Sequence, residues 1–120
     1  MKRILIIDDN KGDKVLIEEM FKTVSLNYDV KWAESGDAGL AMASKEPFDI
    51  ILLDTLMPGM DGHETCLALK ENKNVKSNVI MMTGSLDAVS EVKARKSGAD
   101  GYCIKLAESI LSAILSCHKE

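Results

Sequence analysis

Several large classes of protein are excluded by what this sequence has little of. Two prolines and eight glycines in 120 residues are too few for a collagen-like or low-complexity chain. The three cysteines, Cys66, Cys103 and Cys117, are odd in number, far apart and without a CxxC pair. That spacing gives neither a compact disulfide framework nor a cysteine zinc site, and reduced thiols are expected. No apolar run approaches membrane length. Met1-Lys2-Arg3 followed by Ile4 to Ile7 imitates the start of a secretory signal, but Asp8 and Asp9 end the run after four residues, far short of a signal core. A strong positive charge is also missing, since the formal net charge is -4. Lys70, Lys73 and Lys76, and Lys93, Arg95 and Lys96, have acidic neighbours and read as solvated helix faces. The expectation is a cytoplasmic chain with no direct nucleic-acid contact and no membrane.

What remains is an ordinary globular composition, 46% hydrophobic and 28% charged, at a length that suits one domain spanning 1–120. Ile4 to Ile7, Ile50 to Leu53 and Val79 to Met82 are continuous apolar runs, as expected of strands buried on both faces of a parallel sheet. Val30 to Ala33 and Tyr102 to Ile104 are weaker candidates. Between them lie helical stripes: Leu16, Ile17, Met20, Phe21 and Val24, then Ile110, Leu111, Ile114 and Leu115. Shorter helical segments cover Asp37 to Ser44, His63 to Glu71 and Leu86 to Ser97. The β-α unit recurs five times, which predicts an α/β fold with right-handed crossovers. Two open strand orders fit that pattern equally.

Ligands of such sheets bind beyond the carboxyl ends of the strands. The first run ends in Asp8 and Asp9, the third in Asp54, the fourth in Thr83 and the fifth in Lys105. Each alone reads as a solvated loop residue. Together, three carboxylates resist common ionisation unless a cation compensates them, and Mg²⁺ is a hard ion that accepts such oxygens. A lysine and a hydroxyl complete a set suited to phosphoryl transfer onto an aspartate.

These residues resemble those of the receiver domains of two-component response regulators. The matching segments are Ile4-Leu5-Ile6-Ile7-Asp8-Asp9-Asn10, Asp49 to Asp54, Met57-Pro58-Gly59-Met60-Asp61-Gly62, Met81-Met82-Thr83-Gly84, Ser97 to Tyr102, and Lys105. Each is weak alone, but in this order and spacing they are specific. The resemblance implies a flavodoxin-like three-layer sandwich, with a five-stranded parallel sheet of order 2-1-3-4-5 and five helices. It implies that Asp54 takes a phosphoryl group from a sensor histidine kinase or histidine phosphotransfer protein. It further implies Mg²⁺ held by Asp9 directly, by Asp8 mostly through water, by Asp54 and by the Leu56 backbone carbonyl. Lys105, Thr83 and the backbone N–H groups of Thr55 and Gly84 would receive the phosphoryl oxygens. Thr83 and Tyr102 would form the switch, and the signal would reach a downstream target protein of unknown identity through the face of the fourth helix, fifth strand and fifth helix. On this reading the chain is a stand-alone receiver with no output domain, and not an enzyme in the turnover sense.

Four departures from the family pattern stand out. Leu106 replaces the usual proline after the lysine, so that bond is either trans or a costly non-proline cis bond. Leu106 also presents an apolar side chain beside the site. Gly39, a glycine within a helix, predicts a weak or short second helix, and Asn10 stands where a third acid is common. Leu56 and Ser85 occupy the positions two residues beyond Asp54 and Thr83 that tune water access. His63 and His118 read as solvated side chains. Two alternatives stay open: a degenerate receiver acting only by protein interaction, and an aspartate-nucleophile phosphatase, which would want a second aspartate where Leu56 stands.

Overall fold

In the computed structural model, residues 2–23, 27–55, 57, 59–84 and 87–117 are described. Five strands and five helices alternate: β1 Lys2–Ile7, α1 Lys11–Thr23, β2 Tyr28–Ala33, α2 Gly36–Lys45, β3 Ile50–Asp54, α3 Gly62–Glu71, β4 Asn78–Thr83, α4 Ala88–Lys96, β5 Gly101–Ile104 and α5 Ala107–Ser116. All strand pairs are parallel, in the order β2-β1-β3-β4-β5. This is the flavodoxin-like order.

Strand periodicity explains the continuous apolar runs. Successive side chains alternate between sheet faces, and both faces are covered. Leu5, Ile7, Ile51, Leu53, Val79 and Met81 pack with Ala43, Cys66, Leu69 and Ala94, on the side of α2, α3 and α4. Ile4, Ile6, Ile50, Leu52, Ile80 and Met82 pack with Ile17, Met20, Ile110 and Ile114, on the side of α1 and α5. An aliphatic side chain fully buried in this way contributes about 1.5–3 kcal/mol, and the central stretches Ile4 to Ile7, Ile50 to Leu53 and Val79 to Met82 hold no polar residue before the carboxyl edge.

The helices are narrower in their buried faces than the apolar stripes predict. Leu16 and Leu115 belong to the stripes yet are exposed, while Ile17, Met20, Ile110 and Ile114 carry the burial. A residue one position off the centre of a helix face is turned about 100° away from it. Val24 lies outside the described residues. Helix α4 begins at Ala88 behind an Asp87 cap that accepts from the Ser90 N–H, later than expected, and Leu86 lies outside the described residues.

The expectation for Gly39 is corrected. Helix α2 runs ten residues, capped by the Ser35 hydroxyl, and is not shortened. A Cβ on Gly39 would stand 2.3 Å from Ile7 Cδ1. The missing side chain lets α2 lie directly on β1.

Candidate functional site

Side-chain parity divides the polar residues at the sheet's carboxyl edge into two groups. Asp54 ends β3 on the same face as Leu52, and Asp8 follows β1 on the face of Ile6, the α1/α5 side. Lys105 continues β5 two residues after Cys103, on that side as well. Thr83 follows Met81 by two residues, and Tyr102 packs with the Met81 cluster, so both belong to the α4 side. The edge therefore holds a charged group on one face and the Thr83–Tyr102 pair on the other.

The charged group is compact. Lys105 Nζ stands 2.6 Å from Asp8 Oδ2, 2.6 Å from Asp13 Oδ2 and 3.2 Å from Asp54 Oδ1. Asp8 is fully buried; its Oδ1 accepts from the Asn10 N–H at 3.0 Å. Its Oδ2 has no aligned hydrogen bond, so the lysine contact is a charge pairing rather than a directed bond. Burial, and secondarily the Asp8 charge, raise the Asp54 carboxyl to about 6, with Lys105 opposing the rise. Burial works against the Lys105 ammonium, but its hydrogen bond to Asp13 and its close pairing with Asp8 and Asp54 outweigh it, and the group is held above its ordinary value. The lysine thus stays charged, while Asp54 is poised near neutrality by its surroundings.

One oxygen each from Asp8, Asp9 and Asp54 lie within 4.8 Å of one another. Asp9 is exposed and gives the cluster access to solvent. Three hard oxygen donors, one of them buried without an aligned partner, fit a divalent cation such as Mg²⁺. The fourth expected ligand, the Leu56 carbonyl, lies outside the described residues, as does Ser85.

Two expectations change. The Thr55 N–H donates to the Met82 carbonyl oxygen at 3.1 Å, extending the β3–β4 ladder, so a phosphoryl oxygen would have to compete with that bond. Gly84 remains at the exposed exit of β4, with open space where a Cβ would be. His63 is only half exposed, and its Nε2 is buried without a partner among the described residues, so it is not a simply solvated side chain. His118 lies outside the described residues.

The alternative left open after Lys105 is decided by the backbone. No peptide bond among the described residues is cis, so the Lys105–Leu106 bond is trans. The loop is tied instead by the Lys105 N–H to Thr83 O at 2.7 Å and the Leu106 N–H to Ile104 O at 2.8 Å. Leu106 is exposed, as expected. The loop after Asp54 uses its glycines in two ways: Gly59 has φ +76°, which glycine permits, whereas Gly62 approaches the Asp54 backbone closely. Asp61 caps α3, its carboxylate accepting from the Glu64 N–H while Glu64 accepts from the Asp61 N–H. That commitment removes it from the acidic site.

Asp13 joins the site from a helix, so the order of residues at the strand ends does not point to it. It lies in the first turn of α1, four residues past Asp9. Asn10 accepts from its N–H at 3.0 Å, as a helix cap does. An acid in the first turn of a helix that starts at the sheet's carboxyl edge was the available signal.

The response regulator receiver domain family matches residues 4–114. The chain belongs to that family. The receiver is 34% identical over 110 residues to the response regulator PleD of Caulobacter vibrioides, covering 91% of this chain and 24% of that protein. It is 34% identical over 115 residues to protein PilG of Pseudomonas aeruginosa, covering 93% of this chain and 84% of PilG. The chain thus spans about a quarter of PleD, and nearly the whole of PilG. Among solved structures, the chemotaxis response regulator CheY4 of Vibrio cholerae superposes with a TM-score of 0.87 at 26% identity, covering 98% of both chains. Among the described residues, no helix of the receiver is long and apolar enough to cross a membrane.

Proposed function

We propose that this receiver accepts a phosphoryl group on Asp54 from a histidine kinase or histidine phosphotransfer protein, in a reaction that needs Mg²⁺. The observation that carries this reading is the ammonium of Lys105 held 3.2 Å from Asp54 Oδ1 in a buried acidic cluster. The Asp54 carboxylate attacks phosphorus, a P–O bond forms, the P–N bond of the phosphohistidine breaks, and the imidazole nitrogen leaves with the electron pair. Asp8, Asp9 and Asp54 would hold Mg²⁺, with the Leu56 carbonyl as a further ligand. Bound there, the ion supplies neutralisation of the charge on the transferring phosphoryl oxygens. Lys105, the Thr83 hydroxyl and the Gly84 N–H take those oxygens in the product.

Parity and burial support a switch formed by Thr83 and Tyr102. Thr83 and Tyr102 share the α4 side of the sheet, and the Tyr102 hydroxyl is buried with no partner among the described residues. Drawing Thr83 toward the phosphoryl group shifts the population between two packings of Tyr102. Val89 and Val92 on α4, and Leu106 before α5, are exposed apolar side chains and suit contact with a downstream protein across the α4-β5-α5 face. The receiver acts as a cytoplasmic phosphoacceptor module, not as a turnover enzyme.

Incubation with acetyl phosphate and Mg²⁺ while following Trp32 fluorescence tests the reading. The expected result is a saturable change that needs Mg²⁺ and is lost in Asp54→Asn. No change would favour a receiver that acts by protein interaction alone. Sustained phosphate release from small esters would favour a phosphatase.

A further inference from the structure

Lys105 faces three carboxylates, but only two of them sit at strand ends. The third, Asp13, comes from α1 and brings its Oδ2 2.6 Å from the lysine Nζ, closer than Asp54. This contact is a hydrogen bond as well as an ion pair, whereas the Asp8 contact lacks an aligned bond. Asp13 is fixed at its backbone by Asn10 and is only part-exposed. Three carboxylates, those of Asp8, Asp13 and Asp54, therefore surround one ammonium, and Asp9 lies beside Asp8 and Asp54.

Asp8, Asp9 and Asp54 would hold the cation, which would share the Asp8 charge with Lys105 and leave Asp13 as the lysine's nearest anion outside the metal site. A phosphoryl group on Asp54 needs that same ammonium. It also adds negative charge within reach of Asp13, where the partly dry surroundings keep repulsion strong. We propose that Asp13 is a positioning residue that holds Lys105 in the unphosphorylated receiver and competes with the phosphoryl group for its ammonium. The inference rests on Asp54 being the phosphoacceptor. Removing the Asp13 charge leaves Lys105 leaning on Asp8 and Asp54, which disfavours the cation. It also frees the lysine for a phosphoryl oxygen, which favours the anion. The two affinities move in opposite directions, which a general loosening of the site would not produce.

Calorimetric titration of the whole chain tests this, first with Mg²⁺ alone and then with beryllofluoride at saturating Mg²⁺. Asp13→Asn is expected to bind Mg²⁺ about threefold more weakly and beryllofluoride about fivefold more tightly than the native chain. Asp13→Glu, which keeps the charge, is expected to return both toward native values. Asp13→Ser repeats the test should Asp13→Asn lose its native circular dichroism. If the native chain binds beryllofluoride and the neutral variants bind it equally or more weakly, the role of Asp13 is overturned while the phosphoacceptor reading stands. If the native chain binds no beryllofluoride, the phosphoacceptor reading falls and the role of Asp13 falls with it.

Discussion

Gly62 packs so closely on Asp54 that a Cβ at position 62 would stand 2.2 Å from the Asp54 carbonyl oxygen and 2.7 Å from Thr55 Cα. Both obstacles are backbone, and the Gly62 N–H also donates to the Thr55 carbonyl oxygen at 3.2 Å. The start of α3 is thus locked onto the residue proposed to take the phosphoryl group. Gly62→Ala is expected to destabilise the fold by about 2 kcal/mol or more, since main chain rather than a rotatable side chain must move. Urea denaturation of the two chains measures it, and a loss under about 0.5 kcal/mol would contradict the contact.

Gly39 makes the opposite kind of contact, against a side chain. Alanine there gains about 1 kcal/mol in helix propensity but meets Ile7 Cδ1 at 2.3 Å and Cγ1 at 2.6 Å. Overpacking of this sort costs about 1–3 kcal/mol. Gly39→Ala is therefore expected to be destabilising, and Ile7→Val, which removes Cδ1, to recover part of that loss in the double variant. Additive losses in a double-mutant cycle would show that the two residues do not meet.

The Asp54 carboxyl, raised to about 6 by burial and by Asp8, ties stability to pH when no divalent cation is present. Between about pH 4 and pH 6 the folded chain binds more protons at Asp54 than the unfolded chain does. Stability from this group is therefore present at low pH and lost as pH rises through that window. Asp54→Asn is expected to be more stable than the native chain by about 2 kcal/mol at pH 7 in EDTA, with the difference shrinking toward pH 4. Thermal melts across that range check the sign; a difference that grows on acidification would contradict it.

Divalent cation should reverse the penalty. Mg²⁺ at 100 times its dissociation constant adds about 2.7 kcal/mol to the stability of a folded state that alone binds it. Mg²⁺ is expected to raise Tm in the native chain and to have little effect in Asp9→Asn, whose exposed carboxylate gives the cluster its open side. Equal shifts in both would place the ion elsewhere.

The strands were legible because both faces of the sheet are covered: Ile4 to Ile7 and Ile50 to Leu53 have no solvent side to mark with a polar residue. Their ends were legible because the apolar runs give way to the polar Asp8, Asp54 and Thr83, which are themselves buried at the sheet's carboxyl edge. Asp13 was not, because its contact with Lys105 spans 92 residues and depends on where α1 starts over the sheet edge. Neither was the commitment of the Thr55 N–H, since a ladder bond to Met82 leaves no mark in residue type. Gly39 was seen but its meaning depended on a neighbour: helix propensity alone predicted weakness, and packing on Ile7 explains its presence.

Intact mass spectrometry after incubation with acetyl phosphate and Mg²⁺ tests the central claim most directly, on the native chain and on Asp54→Asn. The account predicts one phosphoryl adduct on the native chain, removed by hydroxylamine as an acyl phosphate must be, and none on the variant. An unmodified native chain, or an adduct that persists in Asp54→Asn, would contradict it.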